Sequence, residues 1–206
     1  MNTRRHVLQL AWLVLFCMPG MSAHAQQPPV AVPLLGKIED NRYIAPQQLF
    51  RVPLPFTEYD PANHIIHDGV LPGSLNVLFE DTQKNRRYRI ELSEQPDLTD
   101  AAKIKQAAER RLTAYEGLLL RAFKGTALTI HFASPARNVH EYYYRQDGED
   151  SRYHLFVFFK RGQHLVMLWT DFIETDVTPA LEDTVINGEH AAIQTTRQLY
   201  KALSNN

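Results

Sequence analysis

His64-Ile65-Ile66-His67-Asp68 places two imidazoles and a carboxylate within five positions. That donor set can ligate zinc or run acid–base chemistry if the side chains converge. Convergence needs a helix, where residues three apart share a face. β-Branched Ile65 and Ile66, followed by Gly69 and Pro72, favour extended chain instead, and there positions three apart point to opposite sides. The expectation is a strand end entering an Asp68-Gly69 turn. No metal site is expected, and His64, His67 and Asp68 are the residues that would have to form one.

A second acid–base pair needs two strands to bring it together. His154 lies opposite Trp169 if 153–160 and 164–173 form a hairpin, and Asp171 is then the nearest carboxylate on that face. His131 and His164, on strands beside aromatics, read as histidines bonded within a core. Arg86-Arg87-Tyr88-Arg89 is the dense basic run. Arg87 and Arg89 could hold a phosphate or an anionic lipid headgroup, or pair across strands with Glu80 and Asp81. In Tyr142-Tyr143-Tyr144, alternation sends Tyr142 and Tyr144 one way and Tyr143 the other, so one set is core. The other set offers an aromatic patch for a protein or a glycan. Arg87, Arg89, Tyr142, Tyr144, His154 and Trp169 are therefore the candidate binding residues, and no catalytic residue is assigned.

Other chemistries lack their residues. Gly73-Ser74-Leu75 misses the second glycine of a G-x-S-x-G elbow. Ser134 before Pro135 reads as a turn. The nine glycines form neither G-x-G-x-x-G nor a phosphate-binding loop, so no cofactor is expected.

Composition narrows the setting. The chain has 206 residues, 22 Lys+Arg against 23 Asp+Glu, and one cysteine. Arg4 and Arg5, the apolar run Val7 to Met18 broken only by Gln9, and Ala23-His24-Ala25 are the three parts of a secretory signal, cleaved after Ala25. The run is shorter than the roughly 20 residues of a membrane span, and no later segment is long enough. Cleavage removes Cys17, and with it disulfides, thiol nucleophiles and thiolate ligands. It also takes the formal charge from −1 to −3, which argues against nucleic acid as a partner. The periplasm, or secretion, is the expected destination.

These residues must be held by a fold. Eight of the 12 prolines lie between positions 28 and 72, so that stretch is extended, with a leader over 26–40 and one domain over 41–206. Leu49 to Pro55 alternates like a strand, and Pro53 and Pro55 put it at a sheet rim. Ser74–Asp81 and Arg86–Ser93 form a hairpin around 82–85, with Val77 and Phe79 inward beside Tyr88 and Ile90. From Thr99, the expected N-cap, to Lys124, apolar residues such as Ile104, Ala108, Leu112 and Tyr115 recur at helical spacing. Strands follow near 126–133, 139–146, 153–160 and 164–173. With Arg161-Gly162 as the last turn, Phe158 faces Leu165, Phe156 faces Met167 and His154 faces Trp169. Both faces of this hairpin are apolar, so both must be covered. A C-terminal helix, 189–203 with Asn187 as its cap, supplies the second cover. The fold class is α+β: a mostly antiparallel sheet with helices on both faces.

This order, opened by Tyr43-Ile44-Ala45-Pro46 and Leu49-Phe50-Arg51-Val52-Pro53, resembles the Mog1/PsbP-like group of α/β/α sandwiches, which share a Y-x-x-P-x-x-x-F-x-[VI]-P entry. The tail Asp176-Val177-Thr178-Pro179 through Asn187-Gly188-Glu189-His190 is similar to that of exported proteobacterial proteins. The resemblance implies an accessory or binding role rather than an enzymatic one, and no binding residue transfers with it. The reading is an exported, non-enzymatic binding protein of the bacterial envelope, with an envelope protein or a small ligand as partner. Two alternatives stay open. One is a small periplasmic enzyme using the His64/His67/Asp68 or His154/Asp171 groups. The other is a carrier of an apolar ligand in a cavity lined by Trp169, Met167 and Phe156.

Overall fold

The strand β9 (Ser151–Arg161) and its partner β10 (His164–Glu174) carry apolar side chains at successive positions, and the sheet is built around them. The computed structural model describes residues 34–122, 128–136, 139–146, 151–174 and 179–205. Within these, β4 (His64–Leu71), β5 (Ser74–Asp81) and β6 (Arg86–Glu94) form one meander. β7 (Leu128–Ala136), β8 (Val139–Gln146), β9 and β10 form a second. The two meanders meet at β6 and β10, giving a seven-stranded sheet ordered β4-β5-β6-β10-β9-β8-β7. Every neighbouring pair is antiparallel. Helix α1 (Ala101–Ala122) links the meanders.

Both faces of β9–β10 are covered. On one, Phe156, Phe158, Leu165 and Met167 pack with Ile104, Ala108 and Leu112 of α1. On the other, Leu155, Val157, Val166 and Leu168 pack with Ala192, Ile193 and Leu199 of α3 (Ala191–Ser204). A small sheet of β1 (Lys37–Glu39), β2 (Arg42–Ile44) and β3 (Arg51–Pro53) completes that second layer, through Tyr43, Phe50 and Val52. β3, which ends in Pro53, is at an edge, as expected. Val77 stands opposite Ile90 and Phe79 opposite Tyr88, as the sequence predicts. β7, the far edge of the main sheet, has a register irregularity between Ile130 and Phe132.

Several boundaries differ from expectation, each for a physical reason. Residues 26–33 of the expected leader lie outside the described residues, and Leu34 onward belongs to the compact unit. Asp68 causes this by accepting hydrogen bonds from the Leu35 and Gly36 amides and the Tyr43 hydroxyl (2.9, 2.8 and 2.6 Å). Those bonds also keep Asp68-Gly69 inside β4 rather than in a turn, and the chain reverses at Gly73, whose φ is +73°. Asp100, not Thr99, caps α1: its Oδ1 accepts from the Lys103 amide at 2.9 Å. The expected C-terminal helix is α3, preceded by a further short helix, α2 (Pro179–Ile186), and His190 rather than Asn187 caps α3 by accepting from the Ala192 amide.

The β9–β10 turn is Gly162-Gln163, with φ of +59° at Gly162. His164 therefore pairs with Arg161, and the register lies two residues from the expected one. A two-residue shift preserves which side chains share a face. Asp171 thus comes directly opposite His154, and Trp169 opposite Phe156.

Adjacent residues of β9 test the double burial. Leu155→Ala should cost about 2–5 kcal/mol and Phe156→Ala about 3–5 kcal/mol by urea unfolding, although they face opposite layers. A ribbon covered on one side would tolerate one of the two.

Candidate functional site

Antiparallel register arranges the α1-facing side chains of the main sheet in rows. Glu80, Arg87, Asp171, His154 and Tyr144 form one, running from β5 to β8. Leu78, Arg89, Trp169, Phe156 and Tyr142 form the next, followed by Asn76, Glu91, Met167, Phe158 and His140. All six candidate binding residues therefore lie on two adjacent rows of a single face. Helix α1 packs over part of that face and leaves Arg87 and Arg89 beside it, 46% and 31% exposed.

Their roles divide at once. Tyr142 and Tyr144 are buried, so they form no exposed aromatic patch. Tyr142 meets Phe158 edge-on, and the Tyr144 hydroxyl donates to Glu116 of α1 at 2.9 Å. Burial raises the pKa of both phenols. Tyr143 is half-buried against the opposite layer. The tyrosine triplet is packing on both sides.

His154 and Asp171 do converge, with Nδ1 3.5 Å from Oδ1. The carboxylate is 2% exposed and already held by Arg152, whose Nε and Nη2 donate to it at 2.7 and 2.9 Å. Arg87 Nη1 approaches its other side at 3.7 Å. The imidazole stacks on Trp169, with ring centroids 6.2 Å apart. Neither His154 nitrogen nor Trp169 Nε1 has a hydrogen-bond partner among the described residues. Burial, opposed by Asp171, lowers the His154 pKa to about 4, so the ring is neutral at pH 7. It is an imidazole without solvent access beside a carboxylate saturated by arginine, which gives it no proton to relay.

The residue that sequence reasoning missed is Glu91, 1% exposed. It accepts from Arg111, from Ser93 Oγ at 3.0 Å and from the Tyr115 hydroxyl at 3.2 Å, with Arg89 at 3.5 Å. Arg89 and Arg111 both stand over the Tyr115 ring, 5.7 and 5.6 Å from its centroid. Burial, then Glu91, push the Tyr115 hydroxyl up to about 12. Asn76 accepts both Nε and Nη2 of Arg89. A signal existed: Arg87, Arg89, Glu91 and Ser93 alternate with Tyr88, Ile90 and Leu92, making β6 polar on one face only. Arg111 and Tyr115, four apart on α1, share the face above it.

Two buried carboxylates thus each gather two arginines. Hollows lie beside them. One, of about 300 Å³, runs between α1 and β6 and is lined by Ser93, Gln95, Arg110 and Arg111. The other, of about 150 Å³, is lined by Arg86, Arg87 and Arg152 together with Glu80 and Asp81.

The remaining histidines have other jobs. His64 stacks on Phe56 at 3.9 Å, and its Nδ1 accepts from the Asp60 amide. Asp68 is taken up by the Leu35–Gly36 segment and Tyr43. His67 is exposed on the opposite face of β4. These three do not converge, and among the described residues no cluster of His, Cys, Asp and Glu could hold a metal. The His131 side chain lies outside the described residues. His164 stands opposite Glu94. Trp169, Met167 and Phe156 are packed against α1, so the space that the carrier alternative requires between them is filled.

No family model and no curated protein matches the chain. Among solved structures it is similar to a point mutant of the protein Mog1, with 11% identity, a TM-score of 0.45, and coverage of 82% of this chain and 93% of that one. It is also similar to Mog1p, described as a Ran-binding protein of Saccharomyces cerevisiae, with 12% identity, a TM-score of 0.41, and coverage of 71% and 85%. No residue role is taken from either structure.

The buried imidazole makes a pH prediction. His154 binds its proton near pH 6.5 when unfolded but only near pH 4 when folded. The unfolded state binds more protons in between, so stability falls as pH drops from about 6.5 to about 4, by about 3 kcal/mol. Comparing urea unfolding of wild type and His154→Leu across that range isolates the contribution. Parallel pH profiles for the two proteins would refute it.

Proposed function

We propose that this chain is an exported, non-enzymatic accessory protein of a bacterial envelope that binds an acidic segment of a partner protein. The contact surface is the arginine strip formed by Arg87, Arg89 and Arg152 on the sheet with Arg110 and Arg111 on α1. One observation carries this reading: Glu91 and Asp171, buried to 1% and 2% exposure, each organise two guanidinium groups that remain partly open to solvent.

A buried carboxylate is costly unless it is paired, and apolar residues in place of such a pair are often as stable or more so. Here the pair fixes the direction of arginine forks. A fork held in place loses less entropy on binding, and the part of it open to solvent can meet a carboxylate through charge-assisted hydrogen bonds. The strip is cationic on a chain whose formal charge is −1, so an acidic partner is steered to this face.

The enzyme alternative relies on His154 and Asp171, and their burial and arginine pairing weigh against it. The apolar-carrier alternative relies on space between sheet and helix that Phe156 and Met167 fill with packing. Export rests on Arg4, Arg5, the apolar run to Met18 and the Ala23-His24-Ala25 site. Among the described residues no helix is long and apolar enough to cross a membrane.

Two measurements test the proposal. Mass spectrometry of the protein recovered from a bacterial envelope fraction should give an N-terminus at Gln26. A retained Met1 in the cytosol would overturn export. A glutamate-rich decapeptide should bind the protein at low salt and weaken steeply as salt rises. Combined Arg87→Ser and Arg110→Ser substitution should weaken it about tenfold, at about 1 kcal/mol or less per exposed contact. Undiminished binding in that variant would overturn the surface assignment.

A further inference from the structure

A third hollow lies on the other face of the sheet. The small sheet and the main sheet part at one end, where the turn Pro46–Gln48 stands over the β4–β5 hairpin, the end of β6 and the start of β10. The pocket between them is about 310 Å³, within the range of small-molecule sites. Leu49, Val70, Leu75 and Leu92 make its apolar wall. Val70 and Leu49 are 58% and 38% exposed, and they are two of only four large apolar side chains exposed among the described residues. Apolar surface left in water inside a concave site is surface available to a ligand.

Its polar lining is Gln47, Ser74, Glu94 and His164, and the last two stand opposite each other in register. The Glu94 carboxylate has no ion pair and no side-chain hydrogen bond among the described residues. No lysine or arginine lines the pocket. Arg161 lies behind the wall, donating to the Leu49 carbonyl at 2.6 Å. The rim is held by further backbone bonds, Glu94 to the Gly73 carbonyl at 2.7 Å and Gln95 to that of Gln163 at 2.8 Å. Gln47 and Gln48 above it have φ of 55° and 57°, left-handed conformations that non-glycine residues adopt only when the surroundings impose them. The cavity is preformed rather than a gap between loose loops.

An uncompensated carboxylate at the mouth of an apolar slot selects a cation with an aliphatic body and repels a carboxylate of the same shape. We propose that this pocket binds a short, free alkylamine. Its ammonium group meets Glu94, and its carbon chain lies on Leu49, Val70 and Leu75. The site is separate from the arginine strip: Leu75 and Leu92 belong to the opposite core layer, and the preferred charge is opposite.

The test is an amide-resolved NMR titration of the full chain with n-pentylamine, n-pentanol and pentanoate at pH 7.5. Pentylamine should give saturable shifts at Gln47, Val70, Ser74 and Glu94, with pentanol weaker and pentanoate inert. Glu94→Gln should weaken pentylamine about fivefold, as expected for one exposed charge contact. Val70→Ser, at an exposed position that leaves the core intact, should also weaken it. The proposal is overturned if pentylamine gives no saturable shift, or if pentanol or pentanoate binds as well. Unaltered pentylamine binding by a folded Glu94→Gln protein overturns it too.

Discussion

Desolvation of both faces of β9 and β10 is the constraint from which the rest follows. A ribbon apolar on both sides is stable only between two layers, and a chain of this size has few ways to supply them. Helix α1 comes from between the meanders. Helix α3 and the small sheet come from the two ends of the described chain. The architecture is the solution to one burial problem, and the polar groups are placed by what that solution leaves uncovered.

The uncovered part is one-sided. The small sheet and α3 close the face carrying Val77, Phe79, Tyr88 and Ile90, whereas one helix cannot span seven strands. Next to α1 the sheet therefore changes character within a few ångströms, from Phe156 and Met167 to Arg89, Glu91 and Asn76. Glu91 and Asp171 sit at that boundary. They are deep enough to be dry and shallow enough for their arginines to reach water. Stability alone would favour apolar residues in their place.

Much of this was legible because period-two alternation survives errors in pairing. The β9–β10 register lay two residues from expectation, yet His154, Trp169 and Asp171 still shared a face, since only an odd shift exchanges faces. The hairpin β5–β6 and the helix 101–122 were legible for the same local reason. What escaped was set by distant partners. Asp68-Gly69 has the local character of a turn but stays in β4, because Asp68 binds amides more than 30 positions earlier in the chain. His190 replaces Asn187 as a cap because its ring also stacks on Phe172 and bonds Glu174 at 2.9 Å. Tyr142 and Tyr144 looked like candidates for an exposed surface, and only the position of α1 decides that they are core. Glu91 was visible as part of a polar stripe, but its burial depends on Arg111 and Tyr115, which no local pattern joins to it.

The meeting of β6 with β10 has a kinetic consequence. The central seam joins Ile90 to Leu168, so the middle of the sheet stays unzipped until most of the polypeptide is available. Contacts this remote in sequence close late, because the long loop between them must be ordered first. A nascent chain with such wiring remains threadable for longer than one built from local contacts. That property suits the translocation step in the proposed life of this protein, in which an unfolded chain passes a membrane before it takes shape.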